Sequence, residues 1–206
     1  MIRIFDIIFS LIGLIVLSPI IIITALLIKL EDNGPILFKQ IRIGKNLKEF
    51  TMYKFRSMRF EKDRFVGKLS DDEFNKMSVE EKLKLRNSFT TKNSIDDRIT
   101  NIGKFIRKTS IDEIPQLYNV FIGDMSIVGP RPDTPIQILD YSIDNWRKRH
   151  TIKPGITGLA QINGRSEIKK EMRIKLDLEY VEKKSILLYL KIIFLTALNL
   201  LDSKSN

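Results

Sequence analysis

The sequence predicts an α+β chain, mainly helical, in two parts: a membrane anchor over residues 1-30 and a compact cytoplasmic domain over residues 31-206. Three observations carry this. Residues 1–30 hold 22 apolar residues, and the 22 residues from Ile7 to Ile28 carry no charge. Ile36, Phe38, Ile41 and Ile43 alternate loosely with polar residues ahead of Gly44-Lys45-Asn46, the pattern of a small β-hairpin. Ile186–Leu201 is apolar apart from Lys191, Asn199, Thr196 and the Tyr189 hydroxyl; it suits a core helix or one lying in a membrane interface, and is short for a span.

The first segment decides the class of protein. As a helix, Ile7–Ile28 measures roughly 33 Å, enough to cross a hydrocarbon core. A cleaved signal is a poor match, because the run is too long, Asp6 sits in the leading region and no A-x-A site follows. Only Arg3 precedes the run. Residues 31–60 hold seven basic residues against three acidic ones, so the rest of the chain should face the cytoplasm. Ser18-Pro19 interrupts the run near its middle. Proline there kinks or breaks a helix, and Ser18 can bond a carbonyl that the break frees. The residues alone leave two geometries open, a kinked single pass and two half-helices that enter and leave by one face; length and composition favour the first.

Composition excludes several chemistries. The chain has 206 residues, a net charge of +10, no Cys and one His, His150. Disulfide frameworks, Cys-based zinc sites, a cysteine nucleophile and a multi-histidine metal site are ruled out. No P-loop or dinucleotide fingerprint is present. Residues 61–95 balance eight basic against seven acidic residues and suggest a solvated helix or two. The basic run Arg147-Lys148-Arg149 beside Trp146, the only Trp, suits either a membrane interface or an ordinary surface helix end.

Chemistry concentrates in residues 96–136, where arginines and carboxylates are interleaved among apolar residues. Asp112 and Glu113 stand between Arg107-Lys108 and Pro115. Two registers place them at a helix start: Ser110 at N-cap with Glu113 closing a capping box, or Asp112 at N-cap with Pro115 in the first turn. The second is preferred, since it keeps Pro115 out of the helix interior. Taken alone, the pair reads as a helix cap, for capping sequences are common. Its neighbours argue for a site. Arg107 and Arg131 can grip phosphate bidentately, and Arg131 is fixed between Pro130 and Pro132. Lys54 and Arg56 are further candidate phosphate ligands. Asp112 could hold Mg²⁺, which favours a carboxylate or two plus phosphate oxygens.

These motifs together resemble the bacterial sugar transferase family, the small monotopic phosphoglycosyl transferases. The resemblance runs through FDIIFSLIGLIVLSPI, GPILFKQIRIGK, YKFRSM, DDRIT, RKTSIDEIPQLYNVFIGDMSIVGPRP, KPGITGLAQINGR and LDLEYVEKKS, nearly the whole chain. It implies transfer of a sugar-1-phosphate from a UDP-sugar to polyprenyl (undecaprenyl) phosphate, with release of UMP, as the first step of a surface or glycoprotein glycan. It implies a re-entrant membrane helix broken at Ser18-Pro19, which reverses the preference above, and interfacial helices on the catalytic domain. It places the catalytic dyad on Asp112 and Glu113, with Asp112 as nucleophile of a phosphosugar-aspartyl intermediate and Mg²⁺ as cofactor. A homodimer stays open, and no nucleic acid is expected. The chain departs from the family pattern at Lys170 (often Trp), Tyr189 (often Asp), and Ile111 and Ile114 (commonly Leu). The competing reading is a non-enzymatic membrane-anchored protein whose basic surface binds anionic lipid or nucleic acid.

Overall fold

The computed structural model describes residues 1–59, 78, 80–81, 98–164 and 168–202. The helix expected within 61–95 lies outside the described residues, apart from 78, 80 and 81. The apolar start forms two helices, α1 (Ile2–Val16) and α2 (Ser18–Glu31), bent by 59° at Leu17. Pro19 offers no N–H to the Ile15 carbonyl, four residues back. The Ser18 hydroxyl takes its place and donates to Ile15 O at 2.7 Å. Among the described residues no single helix is long and apolar enough to cross a membrane; only the bent pair passes that test.

The polarity of this pair is inverted relative to a water-facing helix. In α1 the buried residues are Asp6 and Ser10, while Ile4, Ile8, Leu11, Ile12, Ile15 and Val16 are exposed. In α2, Ile22, Ile23, Leu26 and Leu30 are exposed around the buried Thr24 and Ile28. Both ends of the pair are tied to one body. Near the start, the Arg3 guanidinium donates to the carbonyls of Val120 and Phe121. Asp6 Oδ1 accepts from Ser126 Oγ, Ile127 N and Tyr189 Oη at 2.8–2.9 Å. At the far end, the Glu31 carboxylate accepts from the backbone N–H of Asn101 and Ile102. These are open donors at the start of α3 (Asn101–Lys108), where a negative charge is favoured.

The expected hairpin is present. β1 (Leu37–Ile43) pairs antiparallel with β2 (Glu49–Phe55), from Leu37 opposite Phe55 to Ile43 opposite Glu49. Phe50 and Met52 face a core with Val120 and Met125. Phe55, on the other face, packs with Ile28 and Ile106. Asn119 clamps β2 to α4 (Gln116–Ile122): its Oδ1 accepts from Tyr53 N at 3.0 Å and its Nδ2 donates to Thr51 O at 2.7 Å.

A second pair, β3 (Ser126–Val128) with β4 (Gly155–Thr157), is parallel and had no signal in the sequence. Three residues per strand show no readable alternation, and parallel partners are far apart in the chain. The crossover between them holds a 3₁₀ stretch, Pro135–Asp140, and α5 (Ile143–Arg149). Beyond β4 come α6 (Leu159–Ile162), α7 (Lys170–Lys183) and α8 (Ile186–Asp202). Val128, Tyr180, Tyr189 and Ile192 form the core where these elements meet. The C-terminal helix packs into the core on one side, where Tyr189 and Ile192 are buried, and leaves Leu187 and Phe194 exposed on the other.

One expectation is corrected here. Trp146 and its basic neighbours are not a uniformly exposed helix end, because the run is split between inside and outside. Trp146, Arg149 and His150 are all buried, with the indole tilted against the His150 ring and the ring centroids 4.1 Å apart. Helical periodicity puts Arg149 and His150 on the inner side with Trp146, and leaves Arg147 and Lys148 outside.

Candidate active site

α3 begins with Thr100 as N-cap, its Oγ1 accepting from Gly103 N at 2.9 Å. A Cβ added at Gly103 would collide with the Ser57 carbonyl, so glycine lets the helix lie directly on the strand end. α3 stops at Thr109, Ser110 takes a left-handed conformation (φ 57°), and a 3₁₀ turn follows over Ile111–Glu113. The preferred register for the dyad does not occur; in the other, Ser110 does stand at the N-cap position with Glu113 third, but of a 3₁₀ turn and without a side-chain capping bond. Asp112 is not an N-cap; α4 starts only at Gln116, with Pro115 as its N-cap residue. The 3₁₀ turn takes up three of the four residues between Ser110 and the proline.

The two carboxylates have different surroundings. Lys54 Nζ, from β2, donates to Glu113 Oε1 at 2.6 Å, and Arg131 Nη2 donates to the same oxygen at 3.0 Å. Asp112 has only Lys54 within ion-pair range among the described residues, at 3.9 Å. Burial works to raise the pKa of Glu113, but Arg131 and Lys54 outweigh it and pull the value down to about 2. Burial also raises Asp112, and there it prevails: Lys54 offsets it only in part, and the charge of Glu113 adds to it. Glu113 is thus a fixed charge, and Asp112 the more basic, less encumbered carboxylate of the pair.

Of the four basic residues proposed from sequence, three gather around the dyad. Lys54 and Arg131 touch Glu113 directly. Arg107 is exposed, donates through Nε to Ser57 Oγ at 2.8 Å, and lies close enough to lower the pKa of Asp112. Arg56 stands apart from them. It is buried and ion-paired with Asp32, directly after α2, where it fastens the end of β2 to the end of the apolar pair. Sequence reasoning missed Arg42. From β1 it donates to Pro132 O at 2.9 Å and to Gln40 at 2.6 Å. Burial, then the charge of Arg131, lowers its pKa to about 10. Its signal was available in the hairpin register: Arg42 lies on the same strand face as Lys54, whose partner Phe38 is four residues before it.

The result is a partly buried cluster of four basic groups, Arg42, Lys54, Arg107 and Arg131, around two carboxylates. That excess of positive charge fits an anion with several oxygens, such as a diphosphate. Two departures from the family pattern also find partners. Lys170 Nζ pairs with Asp140 at 2.7 Å, and Tyr189 donates to Asp6.

A family model described as bacterial sugar transferase matches residues 1–203. The chain is 42% identical over 210 residues to the UDP-glucose:undecaprenyl-phosphate glucose-1-phosphate transferase of Klebsiella pneumoniae, covering 98% of this chain and 40% of that protein. It is 41% identical to the undecaprenyl-phosphate glucose phosphotransferase of Komagataeibacter xylinus, covering 94% of this chain and 34% of that one. It is 40% identical to the uncharacterized sugar transferase EpsL of Bacillus subtilis, covering 98% and 88%. The chain therefore spans less than half the length of the first two relatives and most of the third. With the whole described site inside the matched region, the chain belongs to the bacterial sugar transferase family.

Proposed function

We propose that this chain transfers a sugar-1-phosphate from a UDP-sugar to undecaprenyl phosphate, through a covalent intermediate on Asp112. The carrying observation is the asymmetry of the dyad. Two adjacent carboxylates share one 3₁₀ turn, yet two cations hold Glu113 while Asp112 keeps only a distant one. A carboxylate with a raised pKa, beside a fixed positive cluster, suits nucleophilic attack on phosphorus. In the first step Asp112 Oδ forms a bond to the β-phosphorus, and the bond from that phosphorus to the bridging oxygen breaks, so UMP leaves with the electron pair. In the second, a phosphate oxygen of the acceptor attacks the same phosphorus, and Asp112 leaves as a free carboxylate. Lys54, Arg107 and Arg131 bind the phosphates and offset the charge that builds between nucleophile and diphosphate. Glu113 holds Lys54 and Arg131 in place.

Magnesium fits this residue set as a shared ion. Among the described residues no group of three or more His, Cys, Asp or Glu side chains gathers, so these residues offer no complete cage. Asp112, with Glu113 beside it, supplies hard oxygens, and Mg²⁺ binds such carboxylates together with substrate phosphates. When bound it would supply further charge neutralisation at the diphosphate.

The same reading makes residues 1–30 a re-entrant anchor and the remainder a catalytic domain on the cytoplasmic face of the membrane. Exposed Ile and Leu around buried Asp6 and Ser10 suit hydrocarbon as the surrounding solvent. The attachment of both ends to one body supports a hairpin in one leaflet over a span. The deciding experiment measures UMP release by membrane-reconstituted protein from a panel of UDP-sugars, with and without undecaprenyl phosphate. Release from one donor, dependent on Asp112, is expected. No release from any donor would overturn the proposal.

A further inference from the structure

The loop that carries Arg131 is held by its carbonyls. Pro130 and Pro132 have no N–H to give, so every second residue of the segment lacks a backbone donor. Instead four successive carbonyls accept from four separate donors. Pro130 O accepts from Gly155 N at 2.9 Å. Arg131 O accepts from Arg149 Nη2 at 2.7 Å. Pro132 O accepts from Arg42 Nη1 at 2.9 Å, and Asp133 O from Ile43 N at 2.9 Å. Gly155 and Ile43 belong to strands that the fold fixes in any case. Arg149 is different, because it spends a fully buried guanidinium on this loop.

Arg149 is 2% exposed and lies at the end of α5. One side of its fork meets the loop twice, at the Arg131 carbonyl and at the Asp133 carboxylate. The guanidinium is also anchored to α7: Nε, together with the same Nη2 that meets the Arg131 carbonyl, reaches Asp177 Oδ2 at 3.0 and 2.9 Å. Tyr141 completes the enclosure, its ring 5.5 Å from the guanidinium carbon and its hydroxyl donating to Asp133 at 3.3 Å. A buried ion cluster of this kind is poor value as a source of stability, since desolvation offsets its attraction. What it does supply is a defined position for one backbone carbonyl, and that carbonyl belongs to the residue whose side chain, half exposed, reaches Glu113.

We propose that Arg149 is a positioning residue: through the Arg131 carbonyl and Asp133 it sets the place from which Arg131 meets Glu113 and the substrate phosphate. The inference rests on the reading of Arg131 as a phosphate ligand of a sugar-phosphate transferase. Arg149 touches no substrate and acts only by way of the loop. Lysine keeps its charge but has no planar fork to reach α7 and both loop acceptors together. A shift of the loop by even a fraction of an ångström is felt at a reacting phosphate.

A double-mutant cycle tests this, with kcat and KM for UMP release in full-length, membrane-reconstituted protein. Arg149→Lys is expected to lower kcat/KM about tenfold when Arg131 is present. In an Arg131→Ala background the same change should lower it by less than about twofold, because the group it positions is gone. If Arg149 merely supports the fold, its effect is the same in both backgrounds, and that result overturns the proposal. Full activity in Arg131→Ala overturns it as well. Asp133→Asn is a milder change that keeps the Arg149 contact to the Arg131 carbonyl, and it covers the case in which Arg149→Lys does not fold. It should show the same pattern, a loss of a few-fold with Arg131 and almost none without it, and equal losses would again refute the inference. Failure of the underlying reading looks different: wild-type protein would then release no UMP from any UDP-sugar.

Discussion

Tyr189 donates a 2.8 Å hydrogen bond to Asp6, joining the first helix of the chain to the last across 183 residues. Both groups are buried, and Ser126 and Ile127 bind the same carboxylate oxygen. The start of α1 is therefore fastened to the body of the protein, and at the other end of the apolar pair Glu31 is fastened to α3. A segment held at both ends by one body should leave Met1 on the side of the membrane where that body lies.

This gives a topology prediction. The chain has no native cysteine, so single cysteines can be read without background. Ile2→Cys and Lys183→Cys should both resist an impermeant thiol reagent added to intact cells, and both should react after lysis. Outside labelling at residue 2 alone would rule out the hairpin. Pro19→Ala restores an N–H for the Ile15 carbonyl, so it should straighten the pair and increase outside labelling at residue 2.

The dyad predicts a division between charge and turnover. Asp112→Asn should abolish UMP release and also any enzyme labelled from a UDP-sugar carrying label in its sugar and β-phosphate. Retention of normal turnover would sink the nucleophile assignment. Glu113→Gln should lose most activity, because Lys54 and Arg131 lose the charge that holds them.

The two carboxylates should also differ in sign when stability is followed against pH in the presence of a chelator. Glu113 titrates at about 2 in the fold against 4.5 when free. A depressed acid stabilises the fold above its unfolded pKa, and that contribution disappears as pH falls through the folded value. Between about pH 4.5 and 2 the wild type should lose stability that Glu113→Gln never had. Asp112 is shifted the other way, by burial, so its ionised form is disfavoured in the fold. Asp112→Asn should gain stability over wild type as pH rises above 3.8, with little difference below it. Denaturation midpoints measured across pH would show these crossing trends; parallel curves for all three proteins would refute them.

Arg131 is half exposed and bonds to Glu113 by one nitrogen, so little of the fold depends on its side chain. Arg131→Ala should leave the melting temperature nearly unchanged while removing one charged hydrogen bond to phosphate, a loss on the order of 2 kcal/mol, or roughly 30-fold in rate or affinity. Arg131→Lys should lose less, since charge remains without the planar fork. If both variants lose thermal stability in proportion to activity, Arg131 is structural.

The sequence by itself determined what local rules govern. The break at Ser18-Pro19 follows from a missing N–H, the β1–β2 hairpin from alternation around Gly44, and the candidate dyad from two carboxylates set among arginines. Tertiary structure decided what depends on residues meeting across the chain. The preferred capping register does not occur, because Asp112 lies inside a 3₁₀ turn that follows a left-handed Ser110 and α4 begins only after Pro115. Arg56 and Arg131 look equivalent as isolated cations, yet one is paired with Asp32 and the other faces Glu113. The fate of the Trp146 run was likewise hidden. Burying Arg149 is tolerable only because Asp133 and Asp177, 16 and 28 residues away in sequence, converge on it, and no local pattern carries that information. The difference between Asp112 and Glu113 has the same origin, since their pKa values are set by burial and by Lys54 and Arg131, which only the folded chain brings to them.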